Sequence, residues 1–172
     1  MANQSTVIVE MGKDANQFTQ SGSGIVVDSS GLVLTTYRNL VENCLHGRVS
    51  MDGKTYYSVE KIVGYDADAN LALLKIKAPA SLMAFSIGSA EQLENQASVY
   101  FASKSTKGAL SFTEGKVTKT AYLGANGICI ETDITARIPG GVVLNSRGEA
   151  VAFVVSSDSG MLAVSEYKNL LK

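Results

Sequence analysis

The sequence predicts an all-β protein, built as barrels or a sandwich. Three observations predict it. Seventeen Val and eleven Thr favour extended backbone, because β-branched side chains fit a pleated surface. Twelve short apolar or alternating runs recur along the 172 residues, with Gly, Asp, Asn and Ser between them. Helical signals are confined to three brief stretches, too few for βαβ units.

In chain order the strand-like runs are Thr6–Met11, Gly24–Val27, Leu32–Thr36, Gly47–Met51, Thr55–Val63 and Leu71–Ile76. After these come Ala97–Ala102, Leu110–Thr120, Gly127–Glu131, Val142–Leu144, Ala150–Val155 and Met161–Val164. Three turns carry hairpin chemistry: Asp28-Ser-Ser-Gly31, Asp52-Gly53 and Asn145-Ser-Arg-Gly148. The helical candidates are Tyr37–Cys44, Ser89–Leu93 and Ser165–Leu171. In the last, Ser165 is the expected N-cap and Tyr167, Leu170 and Leu171 form an apolar side. Lys77–Phe85, with one of only two prolines, reads as a connector between two lobes.

Composition narrows the function. Hydrophobic residues make up 45% and charged residues 18%, enough for a real core and unlike a disordered chain. A net charge of −1 and a pI of about 5.8 give no basic surface for nucleic acid or anionic lipid. No apolar run approaches the roughly 20 residues of a membrane helix, so direct membrane insertion is not expected. Residues 1–23 are polar and lack the apolar centre of a signal peptide. Two Cys and one His make neither a disulfide framework nor a typical zinc site, and no cofactor is expected.

Three stretches resemble the trypsin-like protease domain of the HtrA (Deg) family. The first is Ser21-Gly-Ser-Gly-Ile-Val-Val27 followed by Gly31-Leu-Val-Leu-Thr35. The second is Gly64-Tyr-Asp-Ala-Asp-Ala-Asn-Leu-Ala-Leu-Leu-Lys-Ile76. The third is Glu131-Thr-Asp133 with Pro139-Gly-Gly141 and Leu144-Asn-Ser-Arg-Gly-Glu149. Ile87-Gly-Ser-Ala90 and the ending Leu162–Leu171 fit in order. The resemblance implies two six-stranded antiparallel β-barrels with the family's active site in the cleft between them. It implies one trypsin-like domain over residues 1–172, its N-terminal barrel at about 1–78 and its C-terminal barrel at about 85–172, with no PDZ domain. It also implies an extracytoplasmic setting, in a secreted or membrane-tethered parent; the residues themselves leave the compartment open.

The sequence departs from the family at every catalytic position. A serine protease needs a hydroxyl nucleophile, an imidazole base and a carboxylate that orients the base. The histidine position falls on Arg38, whose guanidinium is always protonated and has no acceptor. The aspartate position falls on Asn70, a neutral amide. The serine position falls on Pro139, which lacks both a nucleophile and the N–H that the family uses in its oxyanion hole. A shift of the alignment by one residue offers Ile138 or Gly140, neither a nucleophile. The glycine two residues before the serine becomes Arg137.

Other candidates have plainer readings. Asp66 and Asp68 build the turn before a buried strand. His46 and Cys44 do not face each other at i, i+2 on a helix. Cys129 alternates like a packed strand residue. Lys104, Lys107, Lys116 and Lys119 read as the solvated face of a hairpin.

The expected function is therefore a pseudoprotease that binds a protein or peptide partner as a sensing or scaffolding module. A hydrolase with an unrecognised nucleophile is the alternative, and a ligand-free spacer domain a third. Two further expectations concern the cleft. Arg38 is expected to be a buried guanidinium held by the Asn70 amide oxygen or by Asp68 or Asp133. The resemblance also places a peptide-binding edge at Phe153, Val154, Val155, Ser156 and Ser157, where a partner adds as an extra strand.

Overall fold

The computed structural model describes residues 2–40, 46–77, 79–80, 82–122, 127–135, 137–157 and 161–172, with residue 122 as backbone only. Twelve strands close into two antiparallel six-stranded barrels. The first comprises β1 (Thr6–Asp14), β2 (Gln17–Asp28), β3 (Leu32–Thr36), β4 (His46–Ser50), β5 (Tyr56–Asp66) and β6 (Leu71–Ile76), in the order β1-β2-β3-β6-β5-β4. The second comprises β7 (Ser98–Lys104), β8 (Leu110–Tyr122), β9 (Ile128–Thr132), β10 (Val142–Leu144), β11 (Ala150–Val154) and β12 (Met161–Ala163), in the order β10-β11-β12-β9-β8-β7. Closure removes the open edges that a six-stranded sheet would otherwise expose.

The strands beside the second barrel are buried on both faces, which explains their unbroken apolar runs. In β6, Leu74 and Ile76 fill the first barrel while Leu71 and Leu73 face outward into a second cluster. That cluster spans both barrels: Ile25, Val27, Leu34 and Leu71 from the first meet Val142, Leu144, Phe153 and Val155 from the second. In β11 the alternation slips at Val151. There Val143 pairs with Ala152 but Leu144 pairs with Ala150, a bulge that leaves one residue unpaired. The bulge keeps Ala150 and Phe153 in the seam while Val151 and Val154 fill the second barrel.

The three expected turns form. Gly31 N–H donates to the Asp28 carbonyl at 3.0 Å and Gly148 N–H to the Asn145 carbonyl at 2.9 Å. At Asp52 the carboxylate accepts N–H groups of Lys54 and Thr55 at 2.8 and 2.7 Å, and these bonds hold its pKa down to about 2. The three expected helical segments are 3₁₀ turns whose bounds differ from those expected. A 3₁₀ turn covers Tyr37–Leu40, and the rest of the Tyr37–Cys44 candidate, Cys44 included, lies outside the described residues. A second covers Ala90–Gln92. The C-terminal one runs Val164–Leu171 with Ala163 as N-cap, so Ser165 sits inside the helix and does not cap it. Val164 and Tyr167 are its buried residues, while Leu171 is exposed. A four-residue helix, Ala2–Ser5, precedes β1.

Lys104 overturns its expectation. It ends β7 with only 3% of its surface exposed, not on a solvated face, while Lys107, Lys116 and Lys119 are exposed. Its ammonium donates to the carbonyls of Asn3 and Met51, both in the N-terminal half of the chain. Its backbone N–H donates to Ser23 Oγ at 3.3 Å. Burial pushes the Lys104 pKa down, partly offset by the Asp52 carboxylate. Beside it lies a hollow of about 390 Å³, lined in part by Asn3, Met51, Asp52, Tyr57 and Leu82.

Candidate functional site

The cleft positions also meet along the seam. β3 pairs with β6 through Thr36 and Leu71, so the 3₁₀ turn after β3 lies against the turn that leads into β6. Asn70 is the last residue of that turn. Its φ of +56° is the left-handed region, which Asn tolerates better than most residues. Four hydrogen bonds hold it. Its N–H donates to the Ala67 carbonyl at 3.3 Å, and its carbonyl accepts Tyr37 N–H at 3.1 Å. Its side-chain Oδ1 accepts the backbone N–H of Arg38 at 2.9 Å. Its Nδ2 donates to the Val155 carbonyl at 2.5 Å, 85 residues away in the second barrel.

The amide is matched to this place. A carboxylate would accept from Arg38 N–H but would set an oxygen against the Val155 carbonyl, since an ionised Asp has no donor. Asp66 belongs to the turn, as expected: its Oδ1 accepts Ala69 N–H at 2.9 Å. Asp68 is exposed on the same turn.

Arg38 differs from the expectation. It is exposed, and its backbone N–H, not its guanidinium, is what Asn70 binds. Neither of the ion pairs found among the described residues, Arg48–Glu10 and Arg147–Glu149, involves it.

The opposite lip is a β-turn, Ile138–Gly141, closed by Gly141 N–H donating to the Ile138 carbonyl at 3.0 Å. Pro at the second position and Gly140 at φ +88° in the third are the signature of a type II turn. Gly140 is obligatory twice over. Its φ excludes most side chains, and a Cβ there would sit 1.9 Å from the Ser23 carbonyl oxygen of β2. Ile138 and Pro139 are exposed. Three of the loop's N–H groups are taken by protein acceptors: Arg137 to Thr135 at 3.0 Å, Gly140 to Val154 at 2.8 Å and Gly141 to Ile138. An oxyanion hole needs such groups free and convergent on a reacting carbonyl.

The expected peptide-binding edge is not open at its first two residues. β11 lies between β10 and β12 in a closed barrel, so Phe153 pairs with both Val142 and Leu162. Val154 pairs with Met161, and its N–H donates to the Gly141 carbonyl at 2.9 Å. Val155 is buried, with its carbonyl on Asn70. Ser156 is half-buried and Ser157 exposed, both with interactions of their own. Phe153 and Val154 of the segment that the resemblance offers as an edge are interior, because closure supplies β11 with a neighbour on each side.

Remaining candidates fall elsewhere. His46 is exposed at the start of β4. Cys129 is half-buried in β9, and burial pushes its thiol pKa up, away from nucleophile character. Among the described residues no three His, Cys, Asp or Glu gather as metal ligands, and no helix is long and apolar enough to cross a membrane.

Residues 22–153 match the family model of the trypsin-like peptidase domain, a span that contains Arg38, Asn70 and Pro139. The chain belongs to that family. The double barrel and the placing of those three residues around one seam agree with this trypsin-like domain. The chain is also similar to the anti-sigma-I factor RsgI9 of Acetivibrio thermocellus, at 26% identity over 149 residues. That alignment covers 86% of this chain but 21% of the relative, so the trypsin-like domain spans about a fifth of that protein's length.

Sequence reading missed two residues that organise the seam. Ser23 carries the Lys104 backbone on its hydroxyl and accepts Thr35 Oγ1 on its carbonyl at 3.0 Å. Asn39 continues that chain, donating Nδ2 to Thr35 Oγ1 at 2.9 Å. The small residues Gly22-Ser23-Gly24 are the available signal, since they let β2 approach its neighbours closely.

Proposed function

We propose that this trypsin-like domain is a pseudoprotease of the HtrA (Deg) type, whose work is to bind a protein or peptide partner. One observation carries the reading: the cleft is filled by structural bonds where chemistry would need free groups. Asn70 joins the barrels through Arg38 N–H and the Val155 carbonyl. The turn at Pro139 turns its own N–H groups inward. Hydrolysis of a peptide bond requires a base that accepts a proton from a nucleophile, and Arg, Asn and Pro supply neither group. The similarity to a protein named an anti-sigma-I factor supports a place as a sensing module within a larger regulatory protein.

The test is turnover. The folded domain is incubated with fluorescent casein and with a nitrophenyl ester, and labelled with Ser- and Cys-directed activity probes. No turnover above the buffer rate and no labelled residue are expected. Turnover abolished by a single substitution would overturn the reading and identify the nucleophile.

A further inference from the structure

We propose that the cleft binds a carboxylate of a peptide partner between Arg38 and Arg137. This rests on the binding-module reading above and assigns that module a ligand chemistry.

The two arginines come from opposite barrels to the lips of one seam. Arg38 lies on the first-barrel lip, its backbone pinned by Asn70 Oδ1 at 2.9 Å. Asn70 Nδ2 reaches the Val155 carbonyl at 2.5 Å, and the preceding residue, Val154, accepts Gly140 N–H at 2.8 Å. Gly140 stands three residues after Arg137. Three hydrogen bonds thus join the lip that carries Arg38 to the loop that carries Arg137.

Neither guanidinium group has an anion among the described residues. Arg38 is exposed and forms no ion pair there. Arg137 is half-buried, and its enclosed Nε finds no hydrogen-bond acceptor there. A guanidinium cannot shed its proton and carries further N–H donors, so the exposed part of each fork is free to meet an anion from outside. The acids nearest in the chain are committed or apart: Asp66 caps Ala69, Asp133 accepts Lys116 N–H at 2.6 Å, and Asp68 pairs with neither arginine.

A carboxylate suits this pair better than a phosphate. Each planar fork matches the two oxygens of one carboxylate. Apolar surface flanks the site for the side chain beside the carboxylate. Ile138 is 47% exposed next to Pro139, and Tyr37 stacks on Tyr65 with ring centroids 5.1 Å apart. Such a mix of Arg, Tyr and exposed aliphatic surface is what binding hot spots use.

The experiment follows the arginine Nε–H and backbone amide NMR signals of the domain during titration with three short probes. These are acetyl-Gly-Ala-Val with a free C-terminus, the same peptide as its amide, and acetyl-Gly-Asp-Val amide. The expected result is saturable shifts of Arg38, Arg137 and residues 138–141 with a carboxylate probe and none with the neutral amide. A response to the first probe alone assigns a C-terminal carboxylate, and a response to the third an acidic side chain. Arg38→Ala and Arg137→Gln should each weaken binding roughly tenfold or more. Arg147→Ala, removed from the cleft and paired with Glu149, should leave it unchanged. If Arg137→Gln fails to fold, Arg38→Ala and the loss of affinity with added salt still decide. Equal binding of the neutral amide would overturn the carboxylate while leaving the binding-module reading in place. Cleft signals that respond to no probe would overturn this proposal, and the turnover assay would remain the separate judge of inactivity.

Discussion

Two side chains join the barrels, one a neutral amide and the other an ammonium. Asn70 spans the cleft with one donor and one acceptor, and its partners are the Arg38 N–H and the Val155 carbonyl. Lys104 spans the seam with donors alone, to the carbonyls of Asn3 and Met51. The amide satisfies its partners without bringing a charge into the protein. The ammonium brings a charge whose desolvation lowers its pKa, and the Asp52 carboxylate offsets that only in part. The pair teaches that the same joint, side chain to distant backbone carbonyl, is built where chemistry is expected and where none is. A residue standing at a catalytic position is thus no evidence of chemistry; what its atoms bond is.

The comparison breaks most sharply at the turn beneath the cleft. Gly140→Ser, the simplest attempt to restore a nucleophile, should cost about 3 kcal/mol or more, because both the backbone conformation and the Ser23 contact forbid it. Chemical denaturation measures this, and a fold of unchanged stability would show the turn to be adaptable. At the ammonium joint, Lys104→Ala should cost about 2–4 kcal/mol through the cavity and the two stranded carbonyls. Its pH signature has a definite sign. A lysine pKa lowered on folding means that the unfolded chain binds more protons, so wild-type stability gains with pH between the folded and unfolded values. Lys104→Met should remove that alkaline gain, which thermal melts at several pH values report.

Asn70→Ala should cost about 1–3 kcal/mol, and Asn70→Asp should recover none of it at neutral pH, since the carboxylate faces the Val155 carbonyl. An Asp variant as stable as wild type would show that the cleft still accepts a catalytic carboxylate. The smallest effect belongs to Arg38→Ala, within about 0.5 kcal/mol, because the bond to Asn70 uses its backbone. A large loss there would mean that the guanidinium carries structure after all.

The strands were legible because buried apolar runs lie between specific turns; the closing into two barrels was legible only through the resemblance. Leu32–Thr36, Leu71–Ile76 and Val142–Leu144 coincide with the strands observed, each buried along most or all of its length. The first half of β2 was not legible. Gln17–Gly22 is polar with side chains largely in solvent, and it becomes a strand through backbone pairing with β1. At the site, the resemblance placed Arg38, Asn70 and Pro139 at one cleft but said nothing of side-chain direction, so Arg38 was expected buried and is exposed. Lys104 failed for a related reason. Its acceptors lie 101 and 53 residues away, and no local pattern separates a lysine that reaches into a neighbour from one that reaches into water.

The Lys104 contact also gives the molecule a mechanical polarity. A pull on residue 2 first strains the hold of Lys104 on the Asn3 carbonyl. It then runs along β1, which is laddered to β2 on one side and β4 on the other, so many hydrogen bonds bear the load together. A pull on residue 172 meets no ladder at first. It lifts the Val164–Leu171 helix, whose grip is the packing of Tyr167 and Val164 on the seam. Under tension the two termini are therefore unequal: the C-terminal helix peels at low force and uncovers the joint between the barrels, while the N-terminal strand resists, with rupture governed by the unfolding rate and not by equilibrium stability.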